Sequence, residues 1–373
     1  MTQKRVLIVD VAHLCYKAAH GGMPPLSATV DIGGQLQTIS TVIPKFVSNQ
    51  IYRWSKGGYY PTVLCFDSKG ANRSRKAYFN MGRGINNGDK NSYKGTRTSE
   101  NDSFYNSVNL TLNLLHKAGV CCLKSDYYEA DDLIKASVDL AKKTYPDLPI
   151  DIVTGDSDLV PLVDEQVSVF LMSRKATYAV SDDIKKTHYV QITPENYEEY
   201  LGSLTAFKNL YVPYNTVLLA KLLRGDKSDG IDGYPKFTPT KFKNLVWDME
   251  RDNVDIANIC RYDNPTETIC YKSTGEPIPL ELIDKTPVEN RTIKYGEPPT
   301  LTKLCETLSN YLEEDIVNHV RYVYNGINLN TAFMGVQDAY KRCPAKLTID
   351  LKGFNRYELH KVLEPLRINL PNM

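Results

Sequence analysis

Most of the features that would sort this 373-residue chain into a class by composition are missing. Its 45 basic and 44 acidic side chains leave a formal charge of +1, so there is no overall basic signature, and any affinity for nucleic acid has to come from a local patch. The eight cysteines include no CxxC pair, and Cys121 and Cys122 are adjacent. That pattern suits neither a zinc site nor a disulfide framework, and it makes a reducing cytoplasm the default. The six histidines are scattered, with none at HxH or HxxxH spacing, which argues against a histidine-ligated transition metal. The apolar run Val6 to Val9 is cut by Asp10, and no stretch approaches the roughly 20 residues of a membrane span. The expectation is a cytoplasmic protein, neither exported nor membrane-embedded. Internal repeats and low-complexity tracts are also lacking.

What is present is enough apolar character, 42% of residues, to bury one large or two modest cores. Short β-rich runs at residues 6–9, 62–66, 120–123, 151–154 and 167–171 alternate with helical patterns starting near Ala12 and covering Val42 to Trp54, Phe104 to Lys117 and Glu129 to Lys143. This alternation predicts an α/β fold with a mainly parallel central sheet and crossover helices. From about residue 206 the reading becomes helical, with helices over Tyr214 to Leu223 and Pro239 to Met249 and the sequence GDKSDGIDGYP as a loop between them. Residues 260–300 read as an irregular connection, and a helix is expected over Thr300 to Tyr324.

Open parallel sheets bind ligands beyond the carboxyl ends of their strands. Acids recur there: Asp10 after the first strand, Asp67 after the second, Glu129, Asp131 and Asp132 shortly after the third, Asp156 and Asp158 after the fourth. Singly, each has a plainer explanation. Acids in a first helical turn complement the helix dipole, GDSD makes an Asx-type turn, and Asp226 and Asp229 of GDKSDG could cap helices. Together they point to magnesium, which takes a few carboxylates from separate segments and keeps its waters. In EADD, the spacing puts Glu129 and Asp132 near one face of a helix start, with Asp131 turned aside.

Between Lys69 and Arg97 lie eight basic residues, among them Arg73, Arg75, Lys76, Lys94 and Arg97, against the single acid Asp89. Tyr78, Phe79 and Tyr93 are interleaved with them, a mixture suited to phosphate contacts and base stacking on single strands. A solvated surface insertion is the plainer reading. The segment leaves directly from Asp67, however, so its cations would hang over the acids.

These residues resemble the 5′ nuclease superfamily of flap endonucleases, the exonuclease domains of bacterial DNA polymerases, and phage 5′–3′ exonucleases and ribonuclease H, over about residues 4 to 240. LIVDVAHLCYKAAH resembles the family's first strand and helix, with Tyr16 and Lys17 where an aromatic and a basic residue are usual. VLCFD carries Asp67, YKGTR resembles a YKGNR-like motif, YYEADDL a YEADD block, IVTGDSDLVPLV a GDxD strand end, and LLRGDKSDGIDGYP a GDxSDNIPG loop. The resemblance implies a PIN-like 5′ nuclease domain over 1–205 with a basic arch at about 68–100. It also implies a helix-hairpin-helix region over 206–300, followed by a C-terminal segment, 301–373, of no assigned role. It makes Asp10, Asp67, Glu129, Asp131, Asp132, Asp156, Asp158, Asp226 and Asp229 ligands of two magnesium ions, with manganese able to substitute. Lys94 and Arg97 would contact the scissile phosphate. Tyr16, Lys17, Arg73, Arg75, Lys76, Tyr93, Lys227, Lys236 and Lys241 would bind nucleic acid.

The sequence departs from the family at Lys236-Phe237-Thr238-Pro239-Thr240, where a Gly-hydrophobic-Gly hairpin that often holds potassium is usual, and at Gly230, where Asn is usual. Potassium binding therefore stays open. The implied activity is a 5′–3′ exonuclease and flap endonuclease; removal of RNA primers from RNA–DNA hybrids, as by the phage ribonuclease H, stays open. Its substrates would be DNA with 5′ ends, flaps or nicks, in host cytoplasm if phage-encoded, acting as a monomer alongside replication proteins. The rivals are a PIN-type ribonuclease on single-stranded RNA, a non-catalytic protein that binds branched DNA, and a small-substrate phosphatase.

Overall fold

The apolar runs of the first half become the strands of one sheet. The computed structural model describes residues 4–22, 26–32, 35–56, 59–68, 94, 100–124, 129–172, 189–199, 210, 216–226, 229–259, 267–283, 285–295, 299–327, 361, 363 and 364. The chain divides into two compact units, one formed by residues 1–74, 97–200 and 334–373, the other by 75–96 and 201–333.

The first unit is built on β1 (Arg5–Asp10), β4 (Tyr59–Phe66), β5 (Cys121–Lys124), β6 (Ile150–Thr154), β7 (Val167–Met172) and β8 (Tyr189–Ile192), in the order β5-β4-β1-β6-β7-β8. Five strands are parallel and only β8 runs antiparallel, at the edge. The central strands are buried on both faces, as expected of continuous Val, Ile and Leu runs. The chain moves outward from β1 through β4 to β5 and then returns to place β6 on the other side of β1. The carboxyl end of β1 is therefore the topological switch point, where such sheets leave a crevice. The crossovers are α1 (Val11–His20), α2 (Val42–Lys56), α3 (Asp102–Lys117) and α4 (Ala130–Thr144). The apolar stripes of α1, α2 and α3 bury Leu14, Val47, Ile51, Trp54, Leu112 and Leu115 in a core that also takes up Leu363 from the far end of the sequence.

Two elements of this unit differ from the reading above. A β-hairpin, β2 (Ser27–Ile32) with β3 (Gln35–Ser40), interrupts the first crossover, and β8 extends the sheet. Polar residues dominate the hairpin, so it carries little apolar signal.

In the second unit, α5 (Val217–Arg224) and α6 (Pro239–Arg251) flank the GDKSDGID segment, whose ends form a two-residue antiparallel ladder, β9 (Gly225–Asp226) with β10 (Ile231–Asp232). The span read as irregular holds an antiparallel ribbon, β11 (Glu267–Tyr271) with β12 (Arg291–Tyr295). The single helix expected over 300–324 is two, α7 (Pro299–Leu308) and α8 (Glu314–Ile327). The break comes where Tyr311 and Leu312 both donate back to the Leu308 carbonyl, and Glu314 and Asp315 then open a new helix at its positive end. Among the described residues no helix is long and apolar enough to cross a membrane.

Candidate active site

Asp10 ends β1 and caps α1, and it is only 5% exposed. Its Oδ1 accepts the Ala12 amide at 2.9 Å and its Oδ2 accepts the Thr154 hydroxyl at 2.8 Å. His13, one turn into α1, brings Nδ1 to 3.7 Å from the same Oδ2. Burial alone would raise the carboxyl pKa; His13, Thr154 and the Ala12 amide outweigh it and hold the group below its ordinary value. Asp10 therefore stays ionised inside the protein. The neighbouring Cys15 thiol is pushed far up by burial, with Asp10 and Asp67 adding to the effect, so it remains a thiol and offers no soft ligand beside the carboxylates.

Asp67 follows β4 directly, and β4 is in register with β1 such that Asp10 lies opposite Cys65. The Asp67 Oδ1 accepts the Ala130 amide of α4 at 2.7 Å, so an acid from one strand end serves the N-terminus of the helix that follows the next strand. At that same N-terminus, Glu129 and Asp132 form a capping box: the Glu129 side chain accepts the Asp132 amide, and Asp132 Oδ2 accepts the Glu129 amide at 3.1 Å. Asp132 is 1% exposed, whereas Asp131 is half-buried. The dipole-and-cap explanation thus holds for Glu129 and Asp132 at least in part. Asp131 lies outside this capping box.

The GDSD turn begins where β6 ends. The Thr154 hydroxyl that serves Asp10 also accepts the Asp156 amide at 2.9 Å, and Asp156 Oδ1 accepts the Asp158 amide at 2.9 Å in an Asx-type cap of a 3-10 turn. One hydroxyl therefore ties the first acid to the turn that carries two others. Gly155 permits this arrangement because a Cβ there would lie 2.8 Å from the His13 Cβ. Neither Thr154 nor His13 stands out in the sequence. A threonine directly ahead of GDSD and a histidine one helical turn after Asp10 are the signals that could have marked them.

In the second unit, Gly225 turns the chain at φ 77°, and a side chain there would meet the Gly233 amide nitrogen at 2.2 Å. The turn brings Asp226 to 2.8 Å from Lys221 Nζ, both nearly buried. Asp229, 5% exposed, donates its amide to the Asp226 carbonyl and accepts the Lys94 amide at its own carbonyl, 2.9 Å away. Lys94 itself has φ 51°, a left-handed backbone uncommon for a side chain of this length. Lys236 has φ 63°, so this unit forms the turn before α6 without the family's glycine, and Thr238 caps that helix with Pro239 at its first turn. Lys241 is exposed on α6.

Tyr16 is 44% exposed on α1, with its ring 5.1 Å from Phe104, and Lys17 follows it, half-buried. Arg73, Arg75, Lys76, Tyr93, Arg97 and Lys227 lie outside the described residues.

Residues 5–195 match the 5′-3′ exonuclease, N-terminal resolvase-like domain, and the chain belongs to that family. It is 27% identical over 231 residues to a thermostable DNA polymerase I of Thermus filiformis, a match that covers 62% of this chain and 22% of the polymerase. It is 33% identical over 145 residues to DNA polymerase I of Streptococcus pneumoniae, covering 39% and 14%. The chain thus spans about a fifth or less of the length of these relatives. Its fold is that of the bacteriophage T5 D15 flap endonuclease, solved as a pseudo-enzyme-product complex with DNA and metal ions. The TM-score is 0.51 at 13% identity, over 97% of this chain and 99% of that one.

Proposed function

We propose that this chain is a metal-dependent 5′ nuclease, a 5′–3′ exonuclease and flap endonuclease that hydrolyses phosphodiester bonds at 5′ ends, flaps and nicks of DNA in replication or repair. RNA primers in RNA–DNA hybrids are the further substrate we propose. The observation that carries the reading is Asp10: a buried carboxylate kept ionised at the switch point of the sheet and joined through Thr154 to the turn bearing Asp156 and Asp158. Family membership and the metal-containing T5 complex support it.

The donor set fits hard divalent ions. Asp10, Asp67, Glu129, Asp131, Asp156 and Asp158 offer only carboxylate oxygen, and the neighbouring thiol of Cys15 is held protonated. The bonds from Ala12, Thr154, Ala130 and the Asp158 amide hold the Asp10, Asp67 and Asp156 carboxylates in place. We assign two magnesium ions, replaceable by manganese; when bound, they acidify water and neutralise charge on the phosphodiester. Asp226 and Asp229 are proposed as ligands from the loop after α5, and Asp132 as a ligand beyond its capping role.

Lys94 and Arg97 are assigned to the scissile phosphate, where cations stabilise charge developing in the transition state. Tyr16 and Tyr93 would stack on bases. Lys17, Arg73, Arg75, Lys76, Lys227, Lys236 and Lys241 would pair with backbone phosphates. Acting as a monomer in the cytoplasm, the enzyme would leave a 5′-phosphate product.

The test is purified protein with 5′-labelled flap, nicked, single-stranded and RNA-primed duplexes, in magnesium and in chelator. Cleavage that needs magnesium and prefers a substrate with a 5′ end beside duplex is expected. Absence of magnesium-dependent cleavage of every substrate overturns the proposal.

A further inference from the structure

Asp10 also faces a buried polar pair that the nuclease reading does not use. His13 is 8% exposed and Tyr189 is 2% exposed. They are joined by a hydrogen bond of 2.7 Å between the His13 Nε2 and the Tyr189 hydroxyl, with the rings meeting edge to face at 5.8 Å. Tyr189 is in turn packed edge-on against the fully buried Trp54, at 6.1 Å. The imidazole therefore has a fixed back wall contributed by β8 and α2.

Its front face is Asp10. Nδ1 makes no hydrogen bond among the described residues, yet it stands 3.7 Å from Asp10 Oδ2, outside hydrogen-bond range and within ion-pair range. A buried polar atom without a bond is uncommon, and one directed at a carboxylate has an electrostatic reason to be there. The charge also selects the tautomer. A lone pair on Nδ1 facing a buried carboxylate would be repelled, so the favoured form carries its proton on Nδ1 and leaves Nε2 to accept from the tyrosine hydroxyl. The order is then Tyr189 O–H to His13 Nε2, and His13 Nδ1–H toward Asp10. Below the ring, the His13 Cβ fills the space that a side chain on Gly155 would need. A single side chain thus touches the strand-end acid, the turn leading to Asp156, and the edge strand.

We propose that His13, held in place by Tyr189, is a positioning residue that fixes the Asp10 carboxylate for a divalent cation. This rests on the reading of Asp10 as a metal ligand. Partners that orient a ligating carboxylate in this way typically change metal affinity or activity by about 10- to 100-fold when removed. A histidine that only filled space would leave metal affinity unchanged once the protein had folded.

The experiment measures manganese binding to the full chain without nucleic acid, by electron paramagnetic resonance of free Mn2+, alongside circular dichroism and flap-DNA binding in chelator. His13→Ala is expected to weaken Mn2+ binding by about 10-fold or more with DNA binding unchanged. His13→Asn, which returns an N–H donor near the position of Nδ1, should recover part of the loss, and Tyr189→Phe should show a smaller loss in the same direction. A folded His13→Ala protein that binds Mn2+ as wild type does overturns the proposal. If His13→Ala does not fold, Tyr189→Phe decides: wild-type Mn2+ affinity in that variant overturns the proposal equally. Asp10→Asn separates the two levels of the argument, because wild-type Mn2+ binding in that variant overturns the ligand reading itself, and the positioning role with it.

Discussion

The hydroxyl of Thr154 donates to Oδ2 of Asp10 at 2.8 Å while accepting the Asp156 amide at 2.9 Å. Both partners are acids that a metal-dependent nuclease would use, and neither lies near the other in sequence. Thr154→Val keeps the shape and β-branching of the side chain but leaves a buried carboxylate oxygen and an amide each short of a partner. The expected loss is about 1–3 kcal/mol of folding stability in urea titrations, with a higher magnesium concentration needed for half-maximal cleavage. Unchanged values for both would show the hydroxyl to be incidental.

The capping box separates structure from chemistry within one tetrapeptide. Asp132→Ala removes a cap of α4 and should lower stability by about 1 kcal/mol in chelator, where no metal contributes. Asp131→Ala, at a half-buried position outside the capping box, should sharply reduce cleavage. If Asp131→Ala cleaves at the wild-type rate, its assignment as a ligand is wrong.

Lys221 and Asp226 form an ion pair at 2.8 Å with side chains 8% and 12% exposed. Removing only the cation, as Lys221→Met, leaves a nearly buried carboxylate uncompensated, and about 3 kcal/mol should be lost. Adding Asp226→Asn to that background should restore part of it. Additive losses in the double-mutant cycle would show that the two groups do not interact.

The ionised state of Asp10 has a definite pH signature. Its folded pKa lies below the ordinary 3.8, so its contribution to stability is fully present above pH about 4 and is lost as pH falls through the folded value. Melting temperatures measured from pH 6 down to pH 3 should therefore fall less steeply for Asp10→Asn than for wild type at the acid end. A steeper acid limb in the variant would contradict the sign of the shift.

The sheet was legible because its inner strands are apolar on both faces and the acids fall at their ends; the runs ending at Asp10 and Thr154 declare themselves without tertiary information. The β2–β3 hairpin and the β11–β12 ribbon were not legible, since their sequences mix polar with apolar residues and lack the continuous apolar runs of the inner strands. The helix expected over 300–324 kept its apolar periodicity across the break after Leu308, which periodicity alone does not reveal.

Within the candidate site, the acids at the strand ends could be read from sequence, but the residues that hold them could not. Thr154 meets Asp10 across 144 positions, and His13 meets Tyr189 across 176. Lys221 reaches Asp226 only because Gly225 turns the chain with a positive φ, since residues five apart on an uninterrupted helix do not face each other. Lys94 shows the same limit: its motif marks a cation, yet its backbone bond to the Asp229 carbonyl joins segments far apart in sequence.

The most direct test of the account is single-turnover cleavage of a 5′-flap duplex by wild type and Asp10→Asn in saturating magnesium, with DNA affinity measured separately in chelator. If the Asp10 carboxylate is a ligand of the catalytic ions, the variant should cleave at least about 100-fold more slowly while binding DNA as tightly. Cleavage by Asp10→Asn at the wild-type rate would contradict the account.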